Sequence, residues 1–269
     1  MAKGKDEHKM LFDLRGGRRG KLVKVVYATL AVLMGLSLFL VIGGFNLAEL
    51  FNSNTSTGDP AKPYEEQAER LEAKLKKDPS DPDLLVGLTR AHVNAGNALV
   101  EINPETGQPG ATPESRQQYQ EAADTWSSYL QATDDPSPSL ARVVAPAFVA
   151  LTIASGTVPE ATRNIEGAVD AQEIAASKNP SVGSVANLAI YQLFAFDYAG
   201  AEESEKKVLA LATSKEERKS IEKQLAEYRK SAKGTQVTFE KAEKEEGQAA
   251  KSGGAGLGQS LNGGSLLGE

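Results

Sequence analysis

The stretch DPSDPDLLVGLTRAHVNAGN, Asp78 to Asn97, decides how this chain is read. Before it, YEEQAERLEAKLKKDPSD, residues 64–81, has the pattern of a charged helix stopped by Asp-Pro, and the quoted stretch follows as a second helix that ends near Gly96. His92 lies inside that second helix and is one of only two histidines in the chain. Either it does chemistry, as a base or a metal ligand, or it packs in a helix interface.

The rest of the sequence supplies no partner for chemistry. His8, the other histidine, lies in a basic leader, and no His-Glu-x-x-His, Gly-x-Ser-x-Gly or EF-hand loop occurs, so neither a triad nor a zinc site can be completed. Carboxylate pairs such as Glu65-Glu66 and Asp134-Asp135 read as solvated helix or turn positions. GGAGLG near the C-terminus satisfies neither phosphate-loop pattern and follows no strand. The expectation is a chain that is not an enzyme and holds no cofactor and no metal. His92 is then a half-buried aromatic stand-in, hydrogen-bonded through one ring nitrogen.

The 269 residues carry a formal net charge of −6, which offers no basic field for DNA or RNA, so nucleic acid is not an expected partner. There is no cysteine, which excludes disulfides and thiolate sites. The charge is unevenly placed: residues 1–24 hold eight Lys or Arg against three acids. Residues 25–48, VVYATLAVLMGLSLFLVIGGFNLA, then run 24 positions without a charge. A helix of that length, at ~1.5 Å per residue, exceeds a ~30 Å hydrocarbon core and is apolar all round. It is longer than the ~7–15 residues of a signal-peptide core, and no Ala-x-Ala follows it. Arg15, Arg18, Arg19, Lys21 and Lys24 crowd one flank while Lys62 stands alone beyond the other. The positive-inside rule then gives a single-pass cell-membrane protein with a cytoplasmic N-terminus and the bulk of the chain extracytoplasmic. Residues 49–63, polar and rich in turn formers, form a linker.

Past the linker the small and large residues recur. Ala168, Gln172, Ala175 and Pro180 stand at offsets 0, +4, +7 and +12; Ala122 with Trp126 and Leu130, and Ala201 with Leu209, are weaker copies. Ala168 and Ala201 are 33 residues apart, and Ala122 lies 46 before Ala168. Small residues let helices cross closely, and large ones fill the facing groove. This arrangement resembles the tetratricopeptide repeat, whose period is ~34 residues. In the quoted stretch Leu85 falls at that family's first large helix position, Leu88 at its leucine, Gly96 at its turn and His92 at its tyrosine.

The resemblance implies an all-α fold: a tetratricopeptide-like α-solenoid in residues 64–233. It has a half-repeat at 64–77 and three helix pairs, 81–95 with 114–132, 137–154 with 159–178, and 182–196 with 199–212. A helix at 214–232, with Ile221, Leu225 and Tyr228 on one stripe, closes the array as a cap. Two departures are expected: Pro146 kinks or breaks its helix, and residues 98–117 form an inserted surface loop. Residues 234–269, polar and then Gly/Ser-rich, are expected to be a disordered tail.

The resemblance also implies a scaffold that binds a peptide or helical segment of a protein partner along the face lined by the first helix of each pair. Carried over by position, that groove includes Asp83, Val86, Arg90 and Asn94 from the first pair and Asn187, Ile190 and Phe194 from the third, where the tyrosine position falls on Gln192. Residues 64–233 hold 18 basic and 26 acidic side chains, which favours a basic or neutral partner. Leader, anchor and exported repeats together resemble the ancillary translocon subunit of bacteria, implying work beside secretion or envelope assembly. The alternative is a self-associating organiser of the cell envelope, a homodimer through its own repeats.

Overall fold

In a computed structural model, residues 59–102 and 109–253 are described, with side chains as far as Lys244. The leader, the apolar run 25–48, most of the linker and residues 254–269 lie outside them. Among the described residues no helix is long and apolar enough to cross a membrane.

The fold is all-α apart from one two-residue ribbon. In chain order the helices are α1 (Lys62–Leu75), α2 (Pro82–Ala98), α3 (Pro113–Ala132), α4 (Pro138–Ala154), α5 (Val158–Lys178), α6 (Val182–Phe194), α7 (Tyr198–Leu211) and α8 (Lys215–Gly253). Their starts follow from local chemistry. Asp81, Thr112, Ser137, Thr157, Ser181 and Asp197 each turn a side-chain oxygen onto an N–H of the first turn, and Pro occupies the first or second position of α1 to α5. Each capping bond satisfies a donor that the helix itself leaves free, worth about 1 kcal/mol.

Each helix packs on the next in sequence, α2 also meets α4, and α8 lies across α6, α7 and α5. Alanines make these crossings close: Ala91, Ala122, Ala141, Ala145, Ala168, Ala171 and Ala175 are wholly buried. Large side chains fill what the alanines leave, with the Trp126 and Tyr129 rings 5.5 Å apart and tilted by 32° in the main core cluster.

Three expectations are corrected. Gly96 is not a turn, for α2 continues to Ala98; a Cβ there would lie 2.6 Å from the Tyr119 ring, so glycine is required by the approach of α3. Pro146 does not break α4, which runs unbroken to Ala154. The proline withholds a hydrogen bond from the Arg142 carbonyl, and Arg142 is an exposed residue. The segment from Gly234, expected to be a disordered tail, is helical to Gly253 as part of α8. Tyr198 Oη donates to Gln236 at 2.9 Å, Phe239 meets the edge of Phe196 at 5.7 Å, and Thr235 and Ala242 are buried. Where a loop was expected between α2 and α3, Glu101–Ile102 pairs antiparallel with Pro109–Gly110.

Phe196, between α6 and α7, is the one non-glycine residue with positive φ among those described, at 63°. The Phe196 N–H bonds to the Leu193 carbonyl at 3.1 Å and the Asp197 N–H to that of Gln192 at 2.9 Å, the paired bonds of a Schellman stop. A side chain there costs ~1–2 kcal/mol that glycine would not. The contact of its ring with Phe239 offsets that strain and ties the far part of α8 to the array.

Candidate functional site

The residues expected to form the partner groove fall into two groups with opposite surroundings. On α2, Asp83, Val86, Arg90 and Asn94 follow one another at steps of 3, 4 and 4, so they share a face. That face is open: Asp83 and Asn94 are exposed, and Val86 and Arg90 half-buried. Arg90 Nη2 donates to Ser139 Oγ of α4 at 3.1 Å, and Ser139 Oγ lies 2.9 Å from Ser137 Oγ. The guanidinium is thereby steered along the α2–α4 seam with donors still free for a carboxylate or carbonyl. Ser139 was not among the expected site residues; it lies on the next helix, and only the α2–α4 contact brings it to Arg90.

On α6, Asn187, Ile190 and Phe194 stand 104 positions after Asp83, Val86 and Arg90, and all three are buried. They are not a free groove. α8 places Ile221, Leu225 and Tyr228 in the same core cluster as Ile190 and Phe194, and the Phe194 and Tyr228 rings meet edge-on at 6.4 Å. The covering helix arrives from later in the chain, which is why repeat positions alone could not reveal it. Gln192, on which the tyrosine position falls, accepts from Ser204 Oγ through Oε1 at 2.7 Å, and a buried aromatic ring, Tyr191, stands one position earlier.

His92 is buried rather than half-buried, at 3 % exposure. Its hydrogen bond runs through one ring nitrogen, as expected. Nδ1 lies 2.9 Å from Gln118 Oε1 and 3.2 Å from Glu121 Oε2 on α3, while Nε2 lies 3.8 Å from Glu72 Oε1 on α1. With Gln118 Oε1 as acceptor, the Nδ1 tautomer donates this bond. The imidazole therefore joins α2 to α3 through Gln118, while Glu72 of α1 lies beyond hydrogen-bond reach. Its two carboxylates attend different nitrogens and converge on no common point; among the described residues no group of three His, Cys, Asp or Glu is placed to hold a metal ion.

Other polar links tie the pairs together. Arg116 of α3 pairs with Glu160 of α5, whose second oxygen accepts from the Gly156 N–H at 3.0 Å. Lys178, ending α5, pairs with Asp135 in the α3–α4 turn, and Arg229 of α8 with Glu205 of α7 at 2.6 Å. Burial raises the phenols of Tyr119 and Tyr228 to about 12, and that of Tyr191 further still.

Comparison with known proteins gives no match: no family model, no curated protein and no solved structure matches the chain.

Proposed function

We propose that the chain is a membrane-anchored tetratricopeptide-like scaffold that binds protein partners on the extracytoplasmic side. On this reading residues 1–24 are a cytoplasmic leader, 25–48 a transmembrane helix, 49–63 a linker, and the helix pairs from residue 64 onward a short solenoid closed by α8. The observation that carries it is the contrast between matching faces: α8 covers that of α6, while that of α2, with Asp83, Val86, Arg90 and Asn94, stays open. An array needs only its terminal face closed against water, and an open face elsewhere is free for a partner. The partner is a peptide or helical segment of a protein, and the setting is secretion or envelope assembly.

The test is photocrosslinking of the intact protein in its membrane, with benzoylphenylalanine in place of Val86. Adducts to other proteins are expected. Homodimer adducts alone would replace the scaffold with a self-associating envelope organiser. The orientation is tested by protease added outside the cell, which should digest the helical array and spare the leader; the reverse pattern overturns it.

A further inference from the structure

A second concave surface lies on the opposite side of α6 from α8. Val185, Leu188 and Gln192 point to it, and at ~100° per residue they stand across the helix from Asn187, Ile190 and Phe194. α5 and α7 form its walls, giving a groove of about 750 Å³. Val185 and Leu188 make an apolar floor, continued by Ala176 and Pro180 on one side and Ala210 and Leu211 on the other. Leu211 is among the few large apolar side chains left exposed.

The rim is acidic. Glu173, Asp197 and Glu203 line it with Lys207 as the one cation of its lining, and none of the four belongs to an ion pair among the described residues. At the α6–α7 end, Gln192 is 5 % exposed; its Oε1 is taken by Ser204, but its Nε2 has no acceptor among the described residues. Asp197 Oδ1 accepts from the Gly200 N–H at 2.9 Å, leaving Oδ2 beside Gln192 Nε2 above the Gly200 Cα. A Cβ at that position would collide with Asp197 Oδ2 and lie 2.8 Å from Gln192 Nε2, so glycine keeps this donor and acceptor together. A donor beside an acceptor matches the N–H and C=O that one residue of an extended chain turns to the same side. Small-molecule pockets enclose ~70–90 % of their ligand; this groove is only partly enclosed, which leaves room for a chain to enter and leave.

We infer that the α5–α6–α7 groove binds an extended segment of a partner protein that carries aliphatic side chains beside Lys or Arg. Gln192 and Asp197 clamp its backbone, the floor takes the aliphatic groups, and Glu173 and Glu203 hold the cations. The inference rests on the scaffold reading and adds a docking surface distinct from the α2 face.

The probe is a fluorescein-labelled peptide, Gly-Ser-Leu-Lys-Val-Arg-Ser-Gly, titrated by anisotropy against the full chain in zwitterionic nanodiscs, with empty nanodiscs as control. Saturable binding is expected. Glu173→Lys together with Glu203→Lys should raise Kd about tenfold or more and allow the same peptide with Glu in place of Lys and Arg to bind. Gly200→Ala should weaken binding at native helical content, and Arg90→Glu should leave it unchanged. No saturable binding, or equal Kd for the wild type and the double variant, overturns the inference. Adducts at Val86 report separately: if they persist while the peptide fails, only this groove is lost, and if both fail, so is the scaffold reading.

Discussion

The faces of α2 and α6 are matching parts of one pattern with opposite fates. Asp83, Val86 and Arg90 correspond to Asn187, Ile190 and Phe194, yet the first set meets solvent and the second is sealed beneath α8. Composition already leans that way, since Arg at one end stands where Phe stands at the other. A residue's role depends on what lies over it, and of these two faces only that of α6 has a helix packed on it from later in the chain. The difference separates positions that hold the fold from positions free to bind.

The largest effects should come from side chains sealed on both sides. Trp126 is 3 % exposed and Phe194 4 %. Either one changed to Ala leaves a cavity and should cost about 3–5 kcal/mol. Thermal melts followed by circular dichroism check this. If Phe194→Ala melts like the wild type, α8 does not seal α6 and the contrast collapses.

Next comes the far part of α8. Ending the chain after Lys233 removes the Phe239 ring, the Gln236 acceptor for Tyr198 and the buried Ala242. A loss of about 2 kcal/mol is expected from that area. Ending it after Gly253 instead should leave the melting midpoint unchanged. Equal midpoints for the two truncations would mean that α8 stops contributing at Ala232.

That part of α8 marks where the sequence misleads and where it was readable after all. The Asp-Pro, Thr-Pro and Ser-Pro helix starts are short-range chemistry, so the expected helix limits through α7 agree with the structure to within three residues. Gly234 and the Gly-rich composition beyond it argued for a tail. Yet Ile221, Leu225, Tyr228, Ala232, Thr235, Phe239 and Ala242 follow one another at alternating steps of 4 and 3, a heptad stripe that passes straight through Gly234. Continuing that spacing would have carried the helix onward. What no spacing shows is the destination of the stripe. The docking of Phe239 on the left-handed Phe196 and the loss of Asn187, Ile190 and Phe194 to burial are contacts between distant segments, as is the bond of His92 to Gln118.

Smaller effects distinguish the two ends through their tyrosines. Tyr119, near α2, donates to Asn97 Oδ1 at 2.7 Å, whereas the Tyr228 hydroxyl under α8 has no hydrogen-bond partner among the described residues. Tyr119→Phe should cost about 1 kcal/mol, and Tyr228→Phe should be neutral or slightly stabilising. Both phenols are raised from 10.0 to about 12 by burial. Raised values mean that the folded chain holds these protons more tightly than the unfolded one. Their contribution is complete below pH 10 and is lost as pH climbs from 10 toward 12. Urea midpoints measured across that window should fall steeply in the wild type and less steeply in the double Phe variant. Equal slopes would show the phenols to be open to solvent.

The smallest effect on stability should come from Arg90, and there the contrast between faces bears on function. Arg90→Glu removes one exposed hydrogen bond to Ser139, so the melt should shift by less than about 1 kcal/mol. The matching position on α6 is Phe194, where truncation costs several times that. At the α2 face, however, the substitution replaces a fork of donors with a carboxylate beside the existing Asp83. A partner carboxylate that paired with Arg90 would now meet two like charges, a change of a few kcal/mol in binding. Crosslinking from position 86 in membranes is the readout, because it needs no knowledge of the partner's name. Loss of the adducts at an unchanged melting midpoint places binding on the α2 face and folding under α8. Undiminished adducts would remove Arg90 from the interface and leave the acidic groove beside α6 as the surface to pursue.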